Sequence, residues 1–398
     1  MVTLQMIQEA QESLKGIARK TPLENANRLD ENIYIKSENL QLTGAFKIRG
    51  AYNKIRSLTP EEASHGVIAC SAGNHAQGIA LSATKLGIKS VICMPEGAPI
   101  SKVEATRNYG AEVVLVPGVY DDAAREAERL SKEHGYTFAH PFNDPYVIAG
   151  QGTIGLEILE QLPEVEQVVV PIGGGGLISG VAFAIKQLKP SCKVIGVQAG
   201  VVASMYASRQ AGKVTTVPDA ATLADGIHVL TPGSLTFEMC QKYVDEIVTV
   251  SEDEIAAAIL ALLEVQKTVA EGAGATPVAA CMSGKVDTTK KTVCVVSGGN
   301  VDVTTLSRVI TRGLVMSGRK ANLTIALEDK PGQLQQVADI VSRCGSNVVS
   351  VQHDGSDPNM PISSCFLKLT LETRDAEQIE QIRAELAKEG FQLVSERV

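Results

Sequence analysis

From about residue 50 to about residue 310, short apolar runs alternate with stretches whose apolar residues recur at helical spacing. GVIAC leads through a glycine turn into NHAQGIALSATKLG. SVICMPE precedes SKVEATRNYG, and EVVLV precedes DDAAREAERLSKEHG. VVVPI runs into GGGGLISGVAFAIKQL, VIGVQ into a loop, and TVCVVSGGN closes the series. Strands so uniformly apolar suit a parallel sheet buried on both faces, and the pattern predicts an open α/β architecture. Ser251 and Glu254 have the spacing of a capping box at the head of EIAAAILALLEVQK. The opening MVTLQMIQEAQESLKGIARK reads as an amphipathic helix.

At about residue 315 the texture changes. Polar SGRKANLT is followed by ANLTIALE, a Pro-Gly turn with GQLQQVADIVSRCG, then NVVSVQHD, SSCFLKLTLE, RDAEQIEQIRAELAKEG and FQLVSE. This predicts β-α-β-β-α-β over about 78 residues, a ferredoxin-like pattern. A domain boundary is expected near Ser317, between a domain over 1–316 and one over 320–398. Neither internal repeats nor low-complexity tracts are evident.

The 398 residues suffice for two or three domains, and 44% hydrophobic with 21% charged residues is an ordinary globular composition. A net charge of −8 with dispersed basic residues argues against nucleic acid or an anionic membrane as the main partner. No apolar run approaches the roughly 20 residues of a membrane span, and the N-terminus lacks the apolar core of a signal peptide. The eight cysteines are scattered without a C-x-x-C pair, and most sit in apolar runs where a reduced thiol packs as a small hydrophobe. The six histidines have no metal-ligand spacing, so no metal site is expected. A reduced, cytoplasmic protein follows.

Four segments carry candidate chemistry. In SENLQLTGAFKIRGA, Lys47 stands beside Phe46. One reading is an amphipathic helix with Lys47 and Arg49 in water; the other is a partly desolvated amine able to form a Schiff base with a carbonyl cofactor. Gly173, Gly174, Gly175, Gly176 and Leu177 join an apolar strand to an apolar helix, a place where backbone N–H groups converge on an anion or where helix and sheet pack closely. Neither the dinucleotide nor the P-loop pattern is met, which leaves a monophosphate cradle or a tight turn. Ser71, Ala72, Gly73, Asn74 and His75 lie between a strand and a helix, with N–H groups suited to a carboxylate and an Asn74 side chain that can donate to a ring oxygen. His75 is a general base or a structural histidine. Ser297 is either the N-cap of the next helix or a hydroxyl for a ring nitrogen. An amine for an aldehyde, a phosphate cradle, a carboxylate loop and a hydroxyl for a ring nitrogen together match pyridoxal 5'-phosphate acting on an amino acid.

KSENLQLTGAFKIRGA, SAGNHAQG, GGGGL and SGGN, with ADGIHV, IAGQGTIGLEI and EGAGA, resemble in order and spacing the threonine/serine dehydratases. The likeness spans about residues 15 to 315, and the tail LTIALEDKPGQLQQVADIVSRCGSNVVSVQHD resembles an ACT domain. The chain as a whole is similar to medium-length threonine ammonia-lyases with one such domain. The resemblance implies a fold type II (tryptophan synthase β-like) α/β catalytic domain of two open subdomains, the smaller over about 43–145, plus the ferredoxin-like module. It makes Lys47 the Schiff-base lysine beside Phe46. Asn74 then meets the cofactor's phenolic oxygen, Gly173 to Leu177 its phosphate and Ser297 its pyridine nitrogen.

The implied reaction eliminates water from L-threonine to give 2-oxobutanoate and ammonia, with L-serine to pyruvate alongside. Serine racemases resemble the same family but carry a serine where this chain has Ala72, so weak racemisation is expected. Threonine synthase fits the motifs less well, and a non-catalytic amino-acid sensor would not need the intact Lys47, Asn74, glycine loop and Ser297. In the tail, Pro331, Gly332, Gln333, Leu334 and Asn347 are candidate contacts for an isoleucine, valine or nucleotide effector; the other reading is a module that joins subunits. A homodimer or homotetramer is expected.

Overall fold

The computed structural model describes residues 2–355, 361 and 363–394. It divides into two compact units, Met1–Val301 and Asp302–Val398.

The first unit carries ten strands: β1 (Leu23–Asn25), β2 (Ile33–Ser37), β3 (Val67–Cys70), β4 (Ser90–Pro95), β5 (Glu112–Val116), β6 (Thr137–Phe138), β7 (Gln167–Pro171), β8 (Lys193–Ala199), β9 (Glu246–Val250) and β10 (Thr292–Val296). They form two sheets. The larger has the order β1-β2-β10-β7-β8-β9 and the smaller β5-β4-β3-β6. Every pairing in both is parallel except β1 with β2. Apolar strands without polar alternation have two faces to bury, and the smaller sheet shows how. Ala69, Ile92 and Met94 join a core with Ile79, Ala80 and Ala83, whereas Ile68, Cys70, Val91 and Cys93 join another with Ala123 and Ala127. The apolar EVVLV is an edge strand instead, with Leu115 41% exposed.

Strand β2 breaks the apolar pattern with Tyr34 and Lys36, yet it is hydrogen-bonded between β1 and β10. Lys36 is tolerated because its Nζ donates to Glu157 Oε2 (2.6 Å), Thr21 O (2.8 Å) and Gln161 Oε1 (2.8 Å), using all three ammonium protons. The Ser251 capping box forms as its spacing predicts, with Glu254 N on Ser251 Oγ at 3.2 Å and Ser251 N on Glu254 Oε2 at 2.7 Å.

In the second unit, β11 (Lys320–Glu328), a helix over Gln333–Arg343, β12 (Asn347–Asp354), β13 (Ser364–Glu372), a helix over Ala376–Lys388 and β14 (Gln392–Val394) follow one another. The antiparallel sheet has the order β12-β13-β11-β14, which is the β-α-β-β-α-β arrangement expected of the tail. Its core gathers Leu323, Ile325, Leu367, Leu369 and Leu371 from the sheet with Val337, Ile340, Ile382 and Leu386 from the helices. A helix over Val303–Met316 precedes β11.

Candidate active site

Three neighbouring strands of the larger sheet, β2, β10 and β7, end beside one another, and parallel pairing brings their carboxyl ends to the same edge. The segment holding Lys47 follows β2, Ser297 follows β10 and the glycine run follows β7. From the smaller sheet, the end of β3 supplies Ser71 to His75.

Lys47 is the first residue of a helix over Lys47–Arg56. The preceding turn is tied to the end of β10: Phe46 N donates to Ser297 O at 3.0 Å, and Ala45 bridges Gly298. Lys47 Nζ donates to Pro141 O at 3.1 Å and lies 5.3 Å from the centre of the Phe46 ring. Burial draws its pKa down to about 8, against an opposing pull from the charge of Glu271. Arg49, by contrast, does not reach water: it is 1% exposed and bonds Glu38 and Glu157.

The glycine run begins after Pro171, and Gly175, at φ 96°, caps the helix Gly176–Leu188. Among the described residues, the backbone N–H groups from Gly173 to Ile178 meet no protein acceptor. A Cβ at Gly174 or Gly176 would overlap Phe142, and one at Gly175 would press on Met205 and Thr236. The close-packing reading is thus seen directly, and the N–H groups are left without a protein acceptor. Close packing demands glycine on one side, and a row of unclaimed donors at a helix N-terminus remains to meet an anion.

Asn74 opens the helix Asn74–Leu86. Its Oδ1 accepts from Asn300 Nδ2 (2.7 Å), and its Nδ2 donates to Glu271 Oε1 (2.8 Å). The backbone N–H groups of Ala72, Asn74 and His75 have no acceptor among the described residues, and Gly73 N donates to Ser71 Oγ at 3.2 Å. His75 Nε2 meets the Ala139 carbonyl at 2.9 Å and must donate there; burial, then the charge of Lys47, draws its pKa to about 3. It is a neutral, anchored ring. Ser297 is 2% exposed; its backbone O accepts from Phe46 N, and its hydroxyl makes no hydrogen bond among the described residues. It is not the cap of the next helix, whose N-cap is Asp302.

Sequence reasoning missed three contributors. The turn His140-Pro141-Phe142 supplies both the carbonyl on Lys47 and the ring against Gly174, and it is shaped by His140 Nδ1, which accepts from Phe142 N (3.2 Å) and Asn143 N (2.9 Å). Glu271 and Asn300 hold Asn74. The only signals for them were the histidine-proline turn after a short strand and the EGAGA and SGGN motifs themselves.

In the second unit, Gly332 (φ 94°) caps the helix that starts at Gln333, so Pro331 to Leu334 form a strand-to-helix turn. Leu334 is exposed, and Asn347 opens β12 with its Nδ2 3.4 Å from Glu372 Oε2. Ligand atoms of Asp329, His353 and Cys365 lie within 4.8 Å of one another; the exposed Asp329 and His353 are 3.7 Å apart as an acid–imidazole pair, which accounts for their approach.

An aldehyde-bearing aromatic phosphate fits these residues: unclaimed N–H donors at a helix terminus for the phosphate, a partly buried amine for the aldehyde, and a hydroxyl without a hydrogen-bond partner among the described residues for the ring. Residues 14–298 match the family model described as "Pyridoxal-phosphate dependent enzyme". The L-threonine ammonia-lyase of Thermotoga maritima is 52% identical over 398 residues, 99% of either chain. The catabolic L-threonine dehydratase TdcB of Escherichia coli K12 is 50% identical over 315 residues, covering 77% of this chain and 96% of its own. Among solved structures, the processed form of threonine deaminase isoform 2 from Solanum lycopersicum superposes with a TM-score of 0.74 at 39% identity, over 77% of this chain and 92% of that one. The chain belongs to the pyridoxal-phosphate dependent enzymes, in the threonine ammonia-lyase family.

Proposed function

We propose that this protein deaminates L-threonine to 2-oxobutanoate and ammonia, and L-serine to pyruvate, using pyridoxal 5'-phosphate. The observation that carries the reading is the meeting of Lys47, Ser297 and the unclaimed N–H groups of Gly173 to Ile178 at three neighbouring strand ends. When bound, the cofactor supplies an aldehyde that bonds amines and a ring that spreads the negative charge left at Cα.

The chain's own residues do the rest. Gly173 to Leu177 bind the phosphate through backbone N–H groups, and Phe46 walls the pocket. Lys47 Nζ would hold the cofactor's aldehyde and, as a free amine, would take the substrate's Cα proton. With a pKa of about 8, about a tenth of Lys47 is neutral at pH 7. Ser71 to His75 receive the substrate carboxylate, and Asn74 keeps one amide N–H for the cofactor's ring oxygen. Ser297 offers the ring nitrogen a neutral hydroxyl, a milder electron sink than a carboxylate would create. In net terms the substrate gives up its Cα proton and its Cβ hydroxyl together as one water, and the enamine left behind takes up water to yield the 2-oxo acid and ammonia.

Ala72 carries no proton to deliver from the opposite face, so elimination should far exceed racemisation. Assaying 2-oxobutanoate from L-threonine and D-serine from L-serine tests this: rapid 2-oxo acid formation with D-serine below about one hundredth of it is expected, a margin of about 2.7 kcal/mol in barrier height. Comparable D-serine formation would make the enzyme a racemase.

Residues 320–398 are read as an ACT-type regulatory module, with the turn at Pro331 leaving the N–H groups of Gly332 to Leu334 to a ligand carboxylate and Asn347 adding a side-chain contact from a neighbouring copy. Isoleucine is the leading effector, with valine and nucleotides as the others, and the enzyme works in the cytoplasm as a homodimer or homotetramer. Coupling of about 1–3 kcal/mol suffices for control. Protein ending near Gly318 should keep turnover and lose any response to isoleucine, valine or AMP. Full-length protein whose threonine kinetics and melting temperature ignore all three would leave the module a purely structural one.

A further inference from the structure

We propose that Glu271 is a positioning residue of the active site, which fixes the amide of Asn74 from the opposite side of the cleft and holds a carboxylate within electrostatic reach of Lys47. The inference rests on the reading that Lys47 and Asn74 serve the cofactor.

Three observations carry it. The first is where the carboxylate is spent. Glu271 occupies the N-cap position of the helix Gly272–Met282, where a polar side chain ordinarily bonds the helix's own N–H groups, yet it makes no such bond. Its Oε1 accepts from Asn74 Nδ2 at 2.8 Å instead. Asn74 belongs to the smaller sheet's helix and Glu271 to a helix packed on the larger sheet, so the bond spans the two.

The second is the logic of the amides. Asn300 Nδ2 donates to the backbone carbonyl of Thr43 at 2.8 Å, which fixes which end of that amide is nitrogen. The same nitrogen donates to Asn74 Oδ1 at 2.7 Å, so the other end of Asn74 must be its NH2. One of those protons goes to Glu271, and the second stays free for a cofactor oxygen. Without an acceptor at position 271 the Asn74 amide would keep only its bond from Asn300.

The third is the space kept for the carboxylate. Glu271 is 4% exposed, and Gly298 and Gly226 both face it: a Cβ on Gly298 would overlap Oε1, and one on Gly226 would lie 3.1 Å from it. The ionisable groups around it come from three further elements. They are Asp225 on the short 3-10 helix Asp225–Ile227, Lys102 on the helix Ile100–Asn108 with Nζ 3.0 Å from Asp225 Oδ2, and Lys47. Burial, then Asp225, raises the pKa of Glu271 to about 7, while Asn74, Lys102 and the Asn300 backbone N–H oppose the rise.

The test compares Glu271→Gln, which keeps an oxygen acceptor and loses the charge, with Glu271→Ala, which loses both. In cofactor-free protein, the pH dependence of Lys47 modification by a small amine reagent, read by peptide mass spectrometry, should move to lower pH by about half a unit or more in both variants, because a nearby anion supports the ammonium. Cofactor affinity should fall about tenfold or more in Glu271→Ala and stay within about threefold of the parent in Glu271→Gln. Thermal melting of the cofactor-free variants identifies simple misfolding; should the alanine variant fail to fold, the Lys47 shift in Glu271→Gln decides. An unmoved Lys47 midpoint in Glu271→Gln, or equal loss of cofactor affinity in both variants, overturns the proposal. Borohydride reduction with peptide mapping is the separate check on the underlying reading: a cofactor found on another lysine removes that reading whatever Glu271 does.

Discussion

Two basic residues on one helix, Lys47 and Arg49, meet opposite fates inside the protein. The Arg49 guanidinium is bracketed by two carboxylates. Its Nε and Nη2 each donate to Glu38 at 2.8 Å, and its Nη1 and Nη2 donate to Glu157 at 2.6 and 3.0 Å. Thr153 Oγ1 and Arg19 O take what remains. With Lys36 added, two cations face two anions, and although burial opposes it, these carboxylates raise the pKa of Arg49 above its ordinary value. Lys47 has a carbonyl, an aromatic ring and a carboxylate that is itself half-titrated near neutrality, so burial wins and the amine is left ready to lose its proton. Full pairing makes a buried charge structural, whereas partial pairing makes it chemical.

Replacing Lys47 by Arg attacks the contrast most directly, because a guanidinium is never neutral near pH 7. Turnover of L-threonine should fall by about a thousandfold or more with the fold intact by circular dichroism. Retention of more than a tenth of the activity would mean that the amine's neutrality is not what the site uses. Next in size, Glu157→Gln strips one anion from the Arg49 cluster and should cost about 3–5 kcal/mol of unfolding free energy in denaturant titration. A loss below about 1 kcal/mol would put the cluster on a par with a surface pair and remove the distinction.

The effect that is smallest within any one pH unit sharpens the electrostatics around Lys47. His75 has a folded pKa of about 3, against about 6.5 for an unperturbed imidazole. Between these values the unfolded chain binds a proton that the folded one refuses, so stability falls as pH drops from about 6.5 towards 3. His75→Asn removes that proton, and the stability gap between parent and variant should shift in the variant's favour by up to about 1.4 kcal/mol per pH unit across the window. A gap independent of pH would mean that His75 takes up its proton in the fold.

The apolar strands and the glycine-rich loops were readable because each announces itself locally, by an unbroken run of Val and Ile or by residues with few other uses. Strand β2 was not, since Tyr34 and Lys36 spoil its hydrophobic pattern. What makes Lys36 tolerable is Glu157, 121 residues away, and such a pairing leaves no periodic trace. Arg49 looked like a surface residue for the same reason, with one anionic partner 108 positions along the chain. The roles proposed for Lys47, Asn74 and Ser297 came from motif and resemblance, but Glu271, 197 residues from Asn74, joins them only through the fold.

All eight cysteines are reduced and buried, six in the first unit and Cys344 and Cys365 in the second. The native molecule is therefore nearly silent towards alkylating reagents, and every thiol that reacts records an opening of the chain around it. Timed alkylation read by mass spectrometry would thus yield two independent clocks in one molecule. One would tick with the strands that carry the active-site loops and the other with the tail's own core, so a ligand that tightens only one of them would betray which unit it grips.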